Sequence, residues 1–144
     1  MRLPPGCSIT IEDAPDAKEV EVLPDGLEAF NQAAWPGHQP WQDLAVMLRQ
    51  DGKVVGGLAG ASYAGWLFVK YLWISAAFRR LRLGSELMRL AEERAAARGC
   101  HGIWLDTFSF QAPGFYEKLG FERFGELDHP PAGKRYFYRK SLLP

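Results

Sequence analysis

The chain reads as a mixed α/β fold: a mostly antiparallel sheet of six to seven strands, with a parallel central pair and helices on both faces. Three observations carry this. Trp66 to Ser75 is an apolar, aromatic run with the length of a buried strand. Leu83, Leu87, Leu90 and Ala91 then recur at helical spacing, and His101 to Phe108 is a second strand-like run. Strand, long helix, strand demands a crossover, so these two strands, fourth and fifth in order, lie parallel. The other strands are joined by short turn signals, which make antiparallel neighbours.

In order, Cys7 to Glu12 alternates weakly through Ile9 and Ile11 and is expected as the first strand. Ala14-Pro15-Asp16 opens a short helix, Pro24-Asp25-Gly26 interrupts it, and Leu27, Phe30, Asn31 and Ala34 mark a second. Trp35 to Trp41 holds prolines, glycine and two tryptophans and reads as a loop. Asp43 to Gln50 and Lys53 to Tyr63 form a hairpin on Asp51-Gly52, and Ala64-Gly65 turns the chain into Trp66 to Ser75. The long helix runs from near Leu83 to near Arg98. After the fifth strand a short helix opens at Pro113. Phe121 to Glu126 and Arg135 to Leu142 close the sheet, separated by a Pro-Pro-x-Gly loop.

With 144 residues, 47% of them apolar, the chain can bury one core, and residues 1–144 are expected as a single domain. A formal net charge of zero counts against a dedicated nucleic-acid binder. There is neither a membrane-length apolar run nor a leader pattern, so the expectation is a cytoplasmic protein without membrane partners. Cys7 and Cys100 stand far apart with no His/Cys spacing suited to zinc, so no metal is expected.

The chemistry concentrates at Phe78 to Arg89. A helix begins near Leu83, and its first N–H groups lack partners while the peptide dipoles make that end partly positive. Such a start seats phosphate, Gly84 permits close backbone approach, and Arg79, Arg80 and Arg82 add positive charge. A solvated basic turn is the simpler alternative.

These residues also carry a family resemblance. Phe78-Arg79-x-x-Arg82-Leu83-Gly84-Ser85 resembles the acyl-CoA signature of the GNAT acetyltransferase superfamily, (Arg/Gln)-x-x-Gly-x-(Gly/Ala). Ala112 to Phe121, with Tyr116 and Gly120-Phe121, resembles its second signature, Ala-x-x-x-Tyr-x-x-x-Gly-Phe. The two stand in the family's order with a strand between. The resemblance implies acetyl transfer from acetyl-CoA to an amine within a ternary complex. It also implies that the fourth and fifth strands splay apart around the pantetheine arm. Backbone of Leu72, Trp73 and Ile74 would contact that arm, and N–H groups of Leu81, Arg82, Leu83, Gly84 and Ser85 would hold the pyrophosphate. Arg82 stands at the family's first glycine; ordinary helix-like dihedrals and a guanidinium turned to phosphate are expected there. Ser109 stands where many relatives carry asparagine and is expected as a further cofactor contact.

By the same resemblance Tyr116 is the general acid that protonates the departing thiolate, and a fourth-strand N–H near Ile74 is the oxyanion donor. The incoming ammonium must also lose a proton. The fourth strand, Val69-Lys70-Tyr71-Leu72-Trp73, lacks the glutamate many relatives carry, so Asp106 is the candidate base. Its alternation places it with Trp104 and Phe108, opposite Ile103, Leu105 and Thr107. The alternatives are an Asp106 paired to Lys or Arg for structure, or His129 and His38 as the base. The acceptor is expected to be a small-molecule amine or exposed amino group. A homodimer through the terminal strands, with Tyr136 to Tyr138 at an edge, fits the family. Two rival readings are a non-catalytic acyl-CoA-binding regulator and a basic-loop interaction module for nucleic acid or protein.

Overall fold

The computed structural model describes residues 1–143 and divides the chain after His38 into two compact units. In the first, α1 spans Ala17–Ala34. Asp16 caps it: its Oδ1 accepts from the N–H groups of Lys18 and Glu19 at 2.8 and 3.2 Å. The helix is one piece, where the sequence suggested two. Pro24 removes a single backbone donor, and the exposed chain around it lets water satisfy the freed carbonyl. Cys7 to Glu12 is not a strand. Ile9 and Ile11 are both exposed, so burial rewards no alternation there. His38, one of the candidate bases, is buried, with Nε2 3.0 Å from Glu28 Oε2. Gln32 donates to both Glu28 and the His38 carbonyl, and its bond to Glu28, then that of His38, lowers the carboxyl's pKa.

The second unit, from Gln39 onward, is one six-stranded sheet with its helices. The strands are β1 (Gln42–Gln50), β2 (Lys53–Tyr63), β3 (Trp66–Ile74), β4 (Gly102–Phe108), β5 (Glu122–Asp128) and β6 (Lys134–Ser141). They lie in the order β1-β2-β3-β4-β6-β5, and only β3 and β4 run parallel. The expected fourth and fifth strands are therefore β3 and β4. Asp51 and Gly52 both take positive φ, as a primed hairpin turn requires.

Helix α2 spans Leu83–Ala97, and α3 spans Pro113–Lys118. Leu87, Met88, Ala91 and Ala95 of α2 and Tyr116 of α3 join one core with Leu58, Leu67, Val69, Ile103, Leu105 and Tyr138. Complete burial of a leucine or isoleucine stabilises by roughly 1.5–3 kcal/mol each, and Leu67 and Ile103 have no exposure at all. Arg98 at the end of α2 donates to the carbonyls of Gln42 and Asp43 and to Ser62 Oγ, fixing the helix across the edge of the sheet.

Candidate active site

β3 and β4 pair only from Trp66↔Gly102 to Val69↔Leu105. Beyond that point they part, and the gap is a cleft of about 440 Å³ bordered by Lys70, Leu72, Asp106, Phe108, Gln111 and Tyr116. Two local features open it. Opposite Ala59 and Gly60, β2 and β3 slip register: Ala59 faces Tyr71 and Gly60 faces Val69, leaving Lys70 as an extra residue. A side chain at position 60 would collide with the Phe68 carbonyl, so the bulge demands glycine. On the other bank, Gln111 Oε1 accepts from the Phe108 N–H at 2.8 Å and from the Thr107 hydroxyl at 3.2 Å. This side chain substitutes for the missing strand partner at the end of β4.

The unpaired edge of β3 presents backbone to the cleft. The Ser75 N–H donates to Val55 on the β2 side, so by strand alternation the N–H groups of Ile74 and Leu72 point the other way, toward β4. Arg79 Nε donates to the Ile74 carbonyl at 3.0 Å, which anchors the arginine loop to the end of that edge.

The loop then enters α2 through Arg82, the N-cap, and no side chain caps the helix. Arg82 has φ 61° and ψ 18°, and Arg80 also has positive φ. The helix-like dihedrals expected of Arg82 are therefore corrected. The turn from β3 into α2 requires the left-handed conformation that glycine adopts freely, and Arg82 adopts it at a cost of about 1 kcal/mol. Gly84 also has a packing role within the fold. A Cβ there would lie 3.2 Å from Phe115 and 3.6 Å from Ile74, so the glycine lets α2 pack tightly against α3 and β3.

Tyr116 is 9% exposed, with its ring among Phe115, Phe121 and Tyr138. Its hydroxyl takes no hydrogen bond from the chain among the described residues. Burial first, and the Asp106 charge second, push the phenol up to about 12, so it stays protonated at neutral pH. Below it, Tyr138 donates to Glu117 at 3.2 Å and accepts from Arg123, which lies 3.6 Å over the Tyr136 ring. This cluster holds α3 in place.

Asp106 faces the cleft with Phe108, as its alternation suggested, but it is also ion-paired: Arg135 Nε lies 3.0 Å from Oδ1. Arg135 packs on the rings of Phe108 and Phe137, with 5.9 and 5.1 Å to their centroids. Ser109 Oγ accepts from the Lys134 N–H at 3.0 Å, so this hydroxyl pins the loop before β6. His129 rests edge-on against Phe108, and its Nε2 is buried without a partner among the described residues.

Sequence reasoning missed Gln111, Arg135 and the bulged Lys70 as parts of this site. Arg135 stands diagonally across from Asp106 in the sheet, a neighbour visible only once the β4–β6 register is known. Among the described residues there is no group of three or more acids, histidines or cysteines suited to a metal, and no helix long and apolar enough to cross a membrane.

Comparison with known proteins agrees with this geometry. Residues 9–121 match the model of the acetyltransferase (GNAT) family. Acetyltransferase Atu2258 of Agrobacterium fabrum is 34% identical over 128 residues, covering 88% of this chain and 93% of that one. The blasticidin-S acetyltransferase of Streptomyces morookaense is 40% identical over 93 residues, 63% of this chain and 68% of its own. A crystal structure of an acetyltransferase from Agrobacterium tumefaciens superposes with a TM-score of 0.87 at 33% identity, over 94% of this chain and 99% of that one. The family match, the sequence identity and the superposition agree, and the chain is an acyltransferase that belongs to the GNAT acetyltransferase family.

Proposed function

We propose that the protein transfers an acetyl group from acetyl-CoA to the primary amine of a small molecule, directly, with both substrates bound together. The single observation that carries this is Tyr116: a buried phenol bordering the cleft, kept protonated, whose hydroxyl no described residue uses. Acetyl-CoA supplies the acetyl group already activated as a thioester.

The chain fits that substrate in two places. The uncapped start of α2, with the N–H groups of Leu81 to Ser85 and the guanidinium groups of Arg80 and Arg82, suits a pyrophosphate. The unpaired edge of β3 offers the Leu72 backbone and the Ile74 N–H for an extended arm to pair with, the Trp73 backbone between them turning to β2, and the Ile74 N–H suits an oxygen that gains negative charge. Tyr116 gives its proton to the leaving sulfur. Asp106 takes the proton of the incoming ammonium; Arg135 binds one carboxylate oxygen, Oδ1, and leaves Oδ2 to accept. Ser109 Oγ accepts from the Lys134 N–H, and its own O–H serves as the further contact to the co-substrate. The acceptor is proposed to be a small metabolite-sized or antibiotic-like amine, which the similarity to a blasticidin-S acetyltransferase supports.

The test is thiol release from acetyl-CoA, followed continuously across a panel of primary amines. Amine-dependent release with stoichiometric N-acetyl product is expected. Tight acetyl-CoA binding with no transfer to any amine would contradict the proposal.

A further inference from the structure

The cleft does not end at the sheet. A second cavity of about 680 Å³ adjoins it, and Lys70 and Tyr71 border both. Its floor carries the small side chains of Ala45, Ala59 and Ala61, set between the rings of Trp41, Phe68 and Tyr71. A low alanine floor between aromatic walls accepts a flat apolar body. The β3 bulge is what joins the two spaces. By inserting one residue it turns both Lys70 and Tyr71 outward, side by side, where a regular strand would separate them.

Lys70 is unusual in its charge environment. On β3 to β6, Arg123, Lys134, Arg135, Arg139 and Lys140 each pair with a carboxylate. Among the described residues Lys70 pairs with none, and its ammonium lies 5.3 Å from the Tyr71 ring centroid. The other charges facing these spaces are Asp106, already matched by Arg135, and Asp43 on β1, two strands away. The junction therefore holds one unmatched positive charge between a proton-transfer cleft and an aromatic trough.

We infer that the acceptor is a primary amine bearing a carboxylate and a flat apolar body, and that Lys70 receives the carboxylate. The amine enters the β3–β4 cleft, the carboxylate meets Lys70 at the junction, and the ring lies on the alanine floor. Asp43 disfavours the reverse placement. This inference rests on the acetyltransferase reading above.

Tryptophan against tryptamine, and phenylalanine against phenethylamine, are the probes, because each pair differs only in the carboxylate. Acceptor kcat/KM is measured for native protein and Lys70→Met, with the acetyl-CoA KM read in the same assays. The native enzyme is expected to favour the carboxylated member by ten-fold or more. Lys70→Met is expected to abolish that preference by raising the KM of the carboxylated acceptors, with the acetyl-CoA KM unchanged. Equal use of both members, a preference that survives in Lys70→Met, or no acetylation of either pair by enzyme that acetylates other amines would overturn the inference. A loss of acetyl-CoA affinity in Lys70→Met would also overturn it, assigning Lys70 to the co-substrate. Failure of acetyl-CoA to bind the native chain is a separate result, which removes the acetyltransferase reading and this inference together.

Discussion

The lower and upper halves of the β3–β4 pair are built from the same two strands and behave as different materials. Below, Leu67, Val69, Ile103 and Leu105 are buried and the backbones bond to one another. Above, Lys70, Tyr71 and Trp73 are exposed, Asp106 and Phe108 are half-buried, and the backbones part. One half invests its side chains and backbone in stability; the other leaves both available to a ligand. The boundary is sharp because a bulge on one strand and a glutamine cap on the other fall at nearly the same level.

Substitutions on either side should separate stability from activity. The largest stability effect belongs to the lower half. Leu105→Ala should lower unfolding free energy by about 2–5 kcal/mol in urea titration, through lost burial and a cavity. A loss below about 1 kcal/mol would mean the two halves are less distinct than their burial suggests.

Tyr116→Phe probes the upper half. Turnover should fall about 10²–10⁴-fold, with little change in stability at neutral pH, since no hydrogen bond to a described residue is broken. An unchanged turnover number would remove the acid role. The same residue gives a pH signature. Its folded pKa is raised, from about 10 to about 12, so between those values the folded state holds a proton the unfolded state has lost. Its contribution is complete below pH 10 and is lost as pH rises toward 12, by about 2–3 kcal/mol. Tyr116→Phe should lack that part of the alkaline destabilisation seen in the native chain by urea titration.

The smallest effect is expected at the loop. Arg82→Gly relieves a left-handed residue but frees the unfolded chain, for a net stabilisation of about 1 kcal/mol or less. A clear loss of stability would show that the Arg82 side chain holds the loop.

The legibility of this molecule follows the same physics. Trp66 to Phe121 was readable because dense apolar periodicity and two spaced motifs agree there, so its strands, helices and parallel pair lie close to where the sequence put them. Cys7 to Glu12 was not, because two apolar residues in alternation specify a strand only when something buries them. Pro24 argued for a break, yet an exposed helix loses only one donor there. Gly84 and Arg82 read as one motif, but the packing of Phe115 and the turn geometry that decide their parts are tertiary facts. Asp106 was recognisable as a charge wanting a reason; its partner Arg135 arrives from a strand far along the chain.

On the proposed function, the uncapped start of α2 seats an anion. Ser85→Asp tests it most directly, because the two effects of an acid there have opposite signs. In the first turn of a helix it should stabilise the fold by about 0.3–1 kcal/mol through the helix dipole. Beside a bound pyrophosphate it should repel. Calorimetric titration with acetyl-CoA, paired with thermal unfolding of the free protein, should show a fold at least as stable as the native chain and affinity reduced ten-fold or more. Unchanged affinity in a well-folded variant would contradict the account and leave the start of α2 as an ordinary helix end.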